Sequence, residues 1–555
     1  MQKNLMNAPS RSTHLLLGAL LAALLLLRRP GSLLHPQFWA EDGTLFFQEA
    51  FNHGFWSTIL QPASGYLHSF PRLVAGFSLL FPMEQAPLVF NLAAFVFQLM
   101  PALYLLSPRM ARIIPSFSAQ VLAALVYIAL PASYETHVNL TNSHWHLALL
   151  ALCILVAQQP IDPRVQALET FMVALFSLTG PFSILFLPLV APRLLGVMKG
   201  ARPIRSHVVS VVIAAGALIQ LGFASASARI STAVAQSGPL SLRELMTVVS
   251  MHTFFNAIFG INGFTRFYRM LPPIAYGLGL CALAFFLFVA VRDRVKPLLI
   301  LFYLSALSIA LSIIFPLNDL RIWLHPQAGP RYFVFACLFI HLAILQLTVA
   351  ARSFKRIGYV FLAAAVAIGI PADFFHPEQP DVHWADNATV FRSLPSGSGF
   401  FVPVVPLYHS GMLLHKKSPL RGPSPLSRLQ PVASPTPAVY SVSRPTKVVL
   451  NEASNDHFLG VAGWAIDGAA RKPAGGVFVM IDEKLFPAVY GLPADVVIDG
   501  RSYSDCGFSR LIPIDEIGPG PHQVSIAVLT RDGTGYYQPT PPRTFSTSQL
   551  FPERN

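Results

Sequence analysis

The chain has 555 residues, 53% of them hydrophobic, and a mean hydropathy of +0.53, which excludes a soluble globular protein because too much apolar surface would face water. A formal charge of +13 and a pI near 9.7 would suit a nucleic-acid partner. The basic residues, however, sit in short clusters between apolar runs, as in membrane proteins, so nucleic acid is excluded as a partner.

Residues 1–13 are polar and lead into the Leu/Ala run His14–Leu27. Arg28-Arg29-Pro30 follows it without a small-residue cleavage site, so the run is expected to be an uncleaved first span. Arg28 and Arg29 are expected either to snorkel to the interface or to hold an anionic group.

The next ten residues carry the most distinctive stretch, Gln37-Phe38-Trp39-Ala40-Glu41-Asp42-Gly43. Charged residues are only 12% of the chain, against about 25% in an average soluble domain. Two adjacent carboxylates among aromatics, directly after a span, are therefore candidates for chemistry, with Asp42 or Glu41 as a general base. The competing reading is a cap on an interfacial helix beginning near Gly43. The same loop, 29–86, contains Tyr66, His68 and Arg72. Its apolar part, Phe70–Phe81, is too short to cross a bilayer and reads as a re-entrant or interfacial helix.

Further apolar segments at about 87–106, 117–133, 145–158, 166–179, 182–197, 206–224, 272–291, 297–315, 331–350 and 357–371 bring the expected spans to about eleven. The clusters Arg109/Arg112, Arg164, Arg193–Arg205, Arg292–Lys296 and Arg352–Arg356 then fall on one side. That side is expected to be cytoplasmic, with the N-terminus inside and the C-terminal tail outside.

The opposite face receives the polar loops. One is Tyr134–His146, with Glu135, His137, Asn139, Asn142, His144 and His146. The i, i+2 spacing of His144 and His146 does not place two ligands on one helical face, and no further motif completes a metal site. Substrate hydrogen bonding by His137, Asn139, Asn142 and His144 is expected instead. A divalent cation has no motif to hold it, and no cofactor is assigned. The turn Thr179-Gly180-Pro181 comes next, followed by a loop at 225–271 with Arg266 and Arg269. The last polar stretch runs from Asn318-Asp319-Leu320-Arg321 to Gly329-Pro330-Arg331-Tyr332. Arg suits a phosphate because of its fork of donors, so Arg331, Arg321, Arg266, Arg269 and Arg72 are candidates, with Tyr332 beside the first.

Beyond residue 371 the pattern changes. Residues 372–416 are expected to be an external extension and 417–447, rich in Pro and Ser, a linker. Residues 448–547 carry short alternating strands with turn signals such as Asp532-Gly533, as in a β-sandwich. Three cysteines, Cys153, Cys281 and Cys337, lie in apolar runs and Cys506 is alone in the tail, so all four read as small buried hydrophobes rather than a disulfide framework.

The first span followed by Glu41-Asp42, the many further spans, the external polar loops and the external tail together resemble the GT-C class of integral-membrane glycosyltransferases. The resemblance covers about residues 1–410 and implies a catalytic carboxylate at Asp42, with Glu41 beside it. It further implies a polyprenyl-phosphate-sugar donor, a cell-envelope glycan or lipid acceptor, and a multi-pass protein of a bacterial inner membrane. Neither a DxD nor a WWD-type signature is present. The rival readings are a lipid-glycan ligase or polymerase using a diphosphate carrier, a lipid-linked-glycan transporter or flippase, and a non-catalytic envelope scaffold.

Overall fold

The computed structural model describes residues 10–200, 207–226, 240–314, 320–349, 354–393, 399–406, 411–415, 429–432, 438–442, 446–451, 456–482, 484–537 and 542–547. The chain divides into two compact units. One comprises 1–42, 56–80 and 86–380, and the other 43–55, 81–85 and 381–555.

The first unit is helical, and every apolar segment expected to span carries a helix. Among the described residues five are long and apolar enough to cross a membrane: Met83–Leu105, Val208–Ser225, Pro273–Arg292, Pro330–Val349 and Lys355–Asp373. Arg11–Leu27, Phe117–Ile128, Ser143–Val156, Phe182–Met198 and Lys296–Ala310 are apolar but shorter, at 10–17 residues. Pro163–Ser177 is the polar exception. Its Glu169 is buried, accepts the Tyr104 hydroxyl at 2.7 Å and forms an ion pair with Arg109. Arg109 therefore contributes less to the basic side than its sequence position suggests. The helix Ser69–Ser78 has 10 residues, hence about 15 Å of rise, half the hydrocarbon thickness of a bilayer.

Arg28 does not snorkel. It is fully buried and donates to main-chain oxygens of Ile128 (2.7 Å), Leu130 (3.0 Å), Phe374 (3.0 Å) and Asp373 (3.2 Å). The Asp373 carboxylate accepts the amides of Ala132 (2.9 Å), Ile261 (2.7 Å) and Asn262 (2.9 Å). These two residues tie the ends of four chain-distant segments together by satisfying backbone groups that would otherwise be buried unpaired. Gly260, at φ +70°, lets the chain pass the carboxylate, since a Cβ there would lie 2.9 Å from Asp373 Cγ. Cys153 and Cys337 are buried as expected, whereas Cys281 is exposed on Pro273–Arg292.

The second unit is strand-rich. One six-stranded sheet has the order Val489–Leu492, Gly507–Pro513, Asp456–Asp467, Val439–Val442, with Thr446–Asn451 and Lys472–Pro473 also on Asp456–Asp467. The other is built around Pro521–Leu529 and Gly476–Ile481, which pair antiparallel. Alternate residues Leu459, Val461 and Ala465 of the first sheet and Val477, Val479, Ile481, Val524, Ile526 and Val528 of the second form one buried core. Val439–Val442 is already a strand, so ordered structure begins inside the stretch read as linker. The hairpin Gly399–Pro403/Gly411–His415 belongs to this unit, as do residues 43–55 of the segment after the first apolar helix. There Phe47 meets Trp384 edge-on at 5.7 Å, and the Trp384 indole donates to Met83 O at 3.0 Å.

Burial alone would raise the carboxyl of Asp467. The amides of Ala470 (2.9 Å) and Arg531 (2.8 Å) and the Tyr537 hydroxyl (2.7 Å) outweigh it and hold the group below its ordinary value of 3.8. A depressed folded value adds stability above the unfolded pKa that is lost as pH falls through the folded one. Asp467→Asn is therefore expected to lower the melting temperature of the strand-rich region at pH 6, with the gap closing below about pH 4. A gap that stays constant from pH 6 to pH 2 would contradict this account.

Candidate functional site

The two carboxylates after the first span have different surroundings. Ala40 takes a left-handed conformation, φ +45°, and the turn throws Glu41 outward and Asp42 inward. Glu41 is exposed. Asp42 is 0% exposed and opens the π-helical turn Asp42–Phe47. It accepts the Leu140 amide at 3.0 Å, the Thr141 amide at 2.7 Å and the Thr141 hydroxyl at 2.8 Å. Burial pushes its pKa up to about 7, against the pull of those three hydrogen bonds and with a small further push from Glu41.

The loop that receives Asp42 is itself stapled. Asn139 and Asn142 both donate to Glu135 O, at 2.8 and 2.9 Å, and Asn139 Oδ1 accepts the Asn142 amide at 3.0 Å. Their amide groups thus hold the turn in place. Val138, just before Asn139, has φ +48°, a rare conformation for a β-branched residue, and its amide donates to Gln98 Oε1 at 2.8 Å. His146 is committed as well, to Tyr127 and to Thr136 O, both at 2.8 Å. His137 points to a different neighbour, the His376 ring, at 4.9 Å.

His144 opens the helix Ser143–Val156 and lies 6.2 Å from His68, which in turn lies 4.8 Å from Tyr66. This row is backed by the turn Thr179-Gly180, where His68 bridges to Thr179 and the Gly180 amide donates to Leu67 O at 2.9 Å. Gly180 has φ +80°, and a Cβ there would press on His144 Cβ at 3.0 Å. Burial, then the fields of His144 and Arg72, hold the His68 imidazole well below 6.5, so it is neutral at pH 7. Arg72 is buried on Ser69–Ser78.

Arg331 and Tyr332 form a 3₁₀ turn, Pro330–Phe333, at the mouth of Val334–Val349. The guanidinium stacks on the Tyr332 ring at 4.9 Å and makes an ion pair with Glu135. Burial raises the Tyr66 hydroxyl, and the Tyr332 hydroxyl adds to the rise while the Arg331 cation opposes it. Gly329, at φ +49°, sets up the turn, because a Cβ there would lie 2.3 Å from the Trp323 ring. Gly329→Val is expected to displace the Pro330–Phe333 turn and lower the melting temperature by several degrees. The check is thermal unfolding of the purified variant; a wild-type melting temperature would show that the turn tolerates a side chain there.

Of the side chains expected at the site, Arg331 and Tyr332 stack on each other, Tyr66, His68 and His144 form a row, Glu41 is exposed, and Asp42 is buried against the 140–141 turn. Asn139 and Asn142, expected on the substrate side, brace a turn. His137 is brought to His376 instead. Arg266 is exposed after the short helix Ile261–Thr265, and the side chain of Arg321, in the turn Leu320–Leu324, lies outside the described residues. Two partners were missed, Glu135 and Thr141, although both stand in the Tyr134–His146 stretch. Among the described residues no group of three His, Cys, Asp or Glu side chains is placed to hold a metal ion. An exposed carboxylate, a phenol and a stacked cation can together remove a proton and balance an anionic leaving group. No protein-family model matches the chain, and no curated protein matches it significantly.

Proposed function

We propose that this protein is an integral-membrane glycosyltransferase that moves a sugar from a polyprenyl phosphate to a cell-envelope glycan or lipid. The observations that carry the reading are the adjacent carboxylates just after the first apolar helix, Glu41 exposed and Asp42 buried on the 140–141 turn, and the stacked Arg331–Tyr332 pair at the mouth of Val334–Val349. In this reading all eleven helices expected to span, Pro163–Ser177 included, cross a bacterial inner membrane, and the short ones are completed by interfacial residues. The polar loops and the strand-rich unit, folded as a β-sandwich, then lie on the external side.

Exposure favours Glu41 as the base. It takes the proton of the acceptor hydroxyl while the acceptor oxygen bonds to the sugar C1 and the bond from C1 to the phosphate oxygen breaks. Arg331 balances the charge left on the polyprenyl phosphate, exchanging its Glu135 partner for the phosphate. Asp42 is a positioning residue that fixes the Glu41 loop on the 140–141 turn.

The test is transfer of labelled sugar by the purified full-length protein from polyprenyl monophosphate and diphosphate donors to envelope extract. Transfer from a monophosphate donor supports the proposal. Transfer from diphosphate donors alone would move the reaction to the ligase or polymerase class, and no transfer by folded protein from any donor would remove the enzyme reading.

A further inference from the structure

Arg29 is 3% exposed, His137 0% and His376 7%, yet five of their nitrogens have no hydrogen-bond partner among the described residues: Arg29 Nε and Nη1, His137 Nδ1 and Nε2, and His376 Nε2. Buried donors left this way cost free energy that a folded chain rarely tolerates without a purpose. The three residues come from three places: the end of the first apolar helix, the loop before Ser143–Val156, and the segment after the last apolar helix. The two imidazoles lie 4.9 Å apart, and the main-chain amide of His376 donates to Arg28 O at 2.7 Å, which brings His376 to the residue next to Arg29. The field of Arg29 reaches both histidines.

The charge balance is one-sided. Burial lowers Arg29 to about 10, which leaves it cationic at neutral pH. Glu378 is the carboxylate that acts on it most, but Glu378 is exposed and gives Oε1 to the Gly31 amide at 3.2 Å. Arg28, the other cation nearby, is spent on main-chain oxygens, and Asp373 on main-chain amides. Val138, beside His137, holds a left-handed conformation.

We propose that Arg29, His137 and His376 form an oxyanion site, distinct from the Glu41 site, that takes a phosphate group. Three donors arriving from three chain segments suit a tetrahedral ion with several acceptor oxygens better than a planar carboxylate. Pro377 and Glu378, which follow His376, are exposed, and binding replaces the Glu378–Gly31 contact. The site does not depend on sugar transfer, and its ligand is either free phosphate or the phosphate of a membrane lipid.

The test uses the full-length protein with ¹⁵N-labelled histidine in phosphatidylcholine nanodiscs, with His137 and His376 signals assigned from His137→Gln and His376→Gln. Inorganic phosphate is titrated in one arm, and an isoprenyl monophosphate is added to the bilayer in the other. Saturable shifts of both signals are expected in at least one arm, the responding arm identifying the source. Arg29→Gln is expected to weaken binding about tenfold or more. If neither arm shifts either ring in the wild-type protein, or if folded Arg29→Gln binds as tightly as wild type, the site is not an anion site. The wild-type titration decides the matter even where Arg29→Gln does not fold.

Discussion

Glu41→Gln is expected to cut sugar transfer by about 10²–10⁴-fold, the usual worth of a positioned general base, while leaving the melting temperature unchanged. Glu41 is exposed, so an isosteric amide there disturbs no buried contact. Asp42→Asn should behave differently. Its amide group would oppose one or both backbone donors of the 140–141 turn, at a cost of about 1–3 kcal/mol. The pH dependence separates the two roles. The folded Asp42 pKa, about 7, stands above its ordinary 3.8. The stability it lends is therefore complete below the unfolded pKa and is lost as pH rises through the folded one. The wild-type melting temperature should carry a decline between about pH 4 and pH 7 that Asp42→Asn lacks and Glu41→Gln keeps. If instead Asp42→Asn abolishes transfer and Glu41→Gln does not, the buried carboxylate is the base and the assignment is reversed.

The largest loss of stability is expected for Asp373→Ala. The change removes the acceptor for three amides, two of them buried, and the carboxylate nearest in effect to buried Arg28. Removing one partner from such an arrangement costs about 3–5 kcal/mol, a large part of the 5–15 kcal/mol that holds a domain together. Low yield in detergent and a melting temperature at least 10 °C below wild type are expected. Arg28→Leu should be similarly damaging, and the double variant less so than the sum, because the two residues share partners along the Ile128–Ala132 turn and the Asp373 backbone. Full additivity in a double-mutant cycle would show that the two act independently.

Neither Arg28 nor Asp373 stands out in the chain as a structural pair. Arg28-Arg29 reads as a break in the charge pattern, and Asp373 as the first residue of a polar tail. They lie 345 positions apart, and only the folded backbone brings the main-chain groups they serve into reach. Glu135 was legible as part of a polar stretch but not as the partner of Arg331, for the same reason.

What the chain by itself determined is the distribution of elements. Runs of apolar residues must leave water, so each became a helix, and alternating residues from 456 onward became paired strands with one buried face. The candidate carboxylates were visible too, because charge is scarce enough here for an acidic pair to stand out. Which carboxylate meets solvent was not visible. Glu41 and Asp42 are neighbours of similar chemistry, and a local left-handed turn at Ala40 together with a distant pair of amides at 140–141 decides which one is buried. Backbone donors have no signature in an amino-acid sequence, since every residue but proline carries one. Their positions relative to a carboxylate a hundred residues away exist only once the chain has folded.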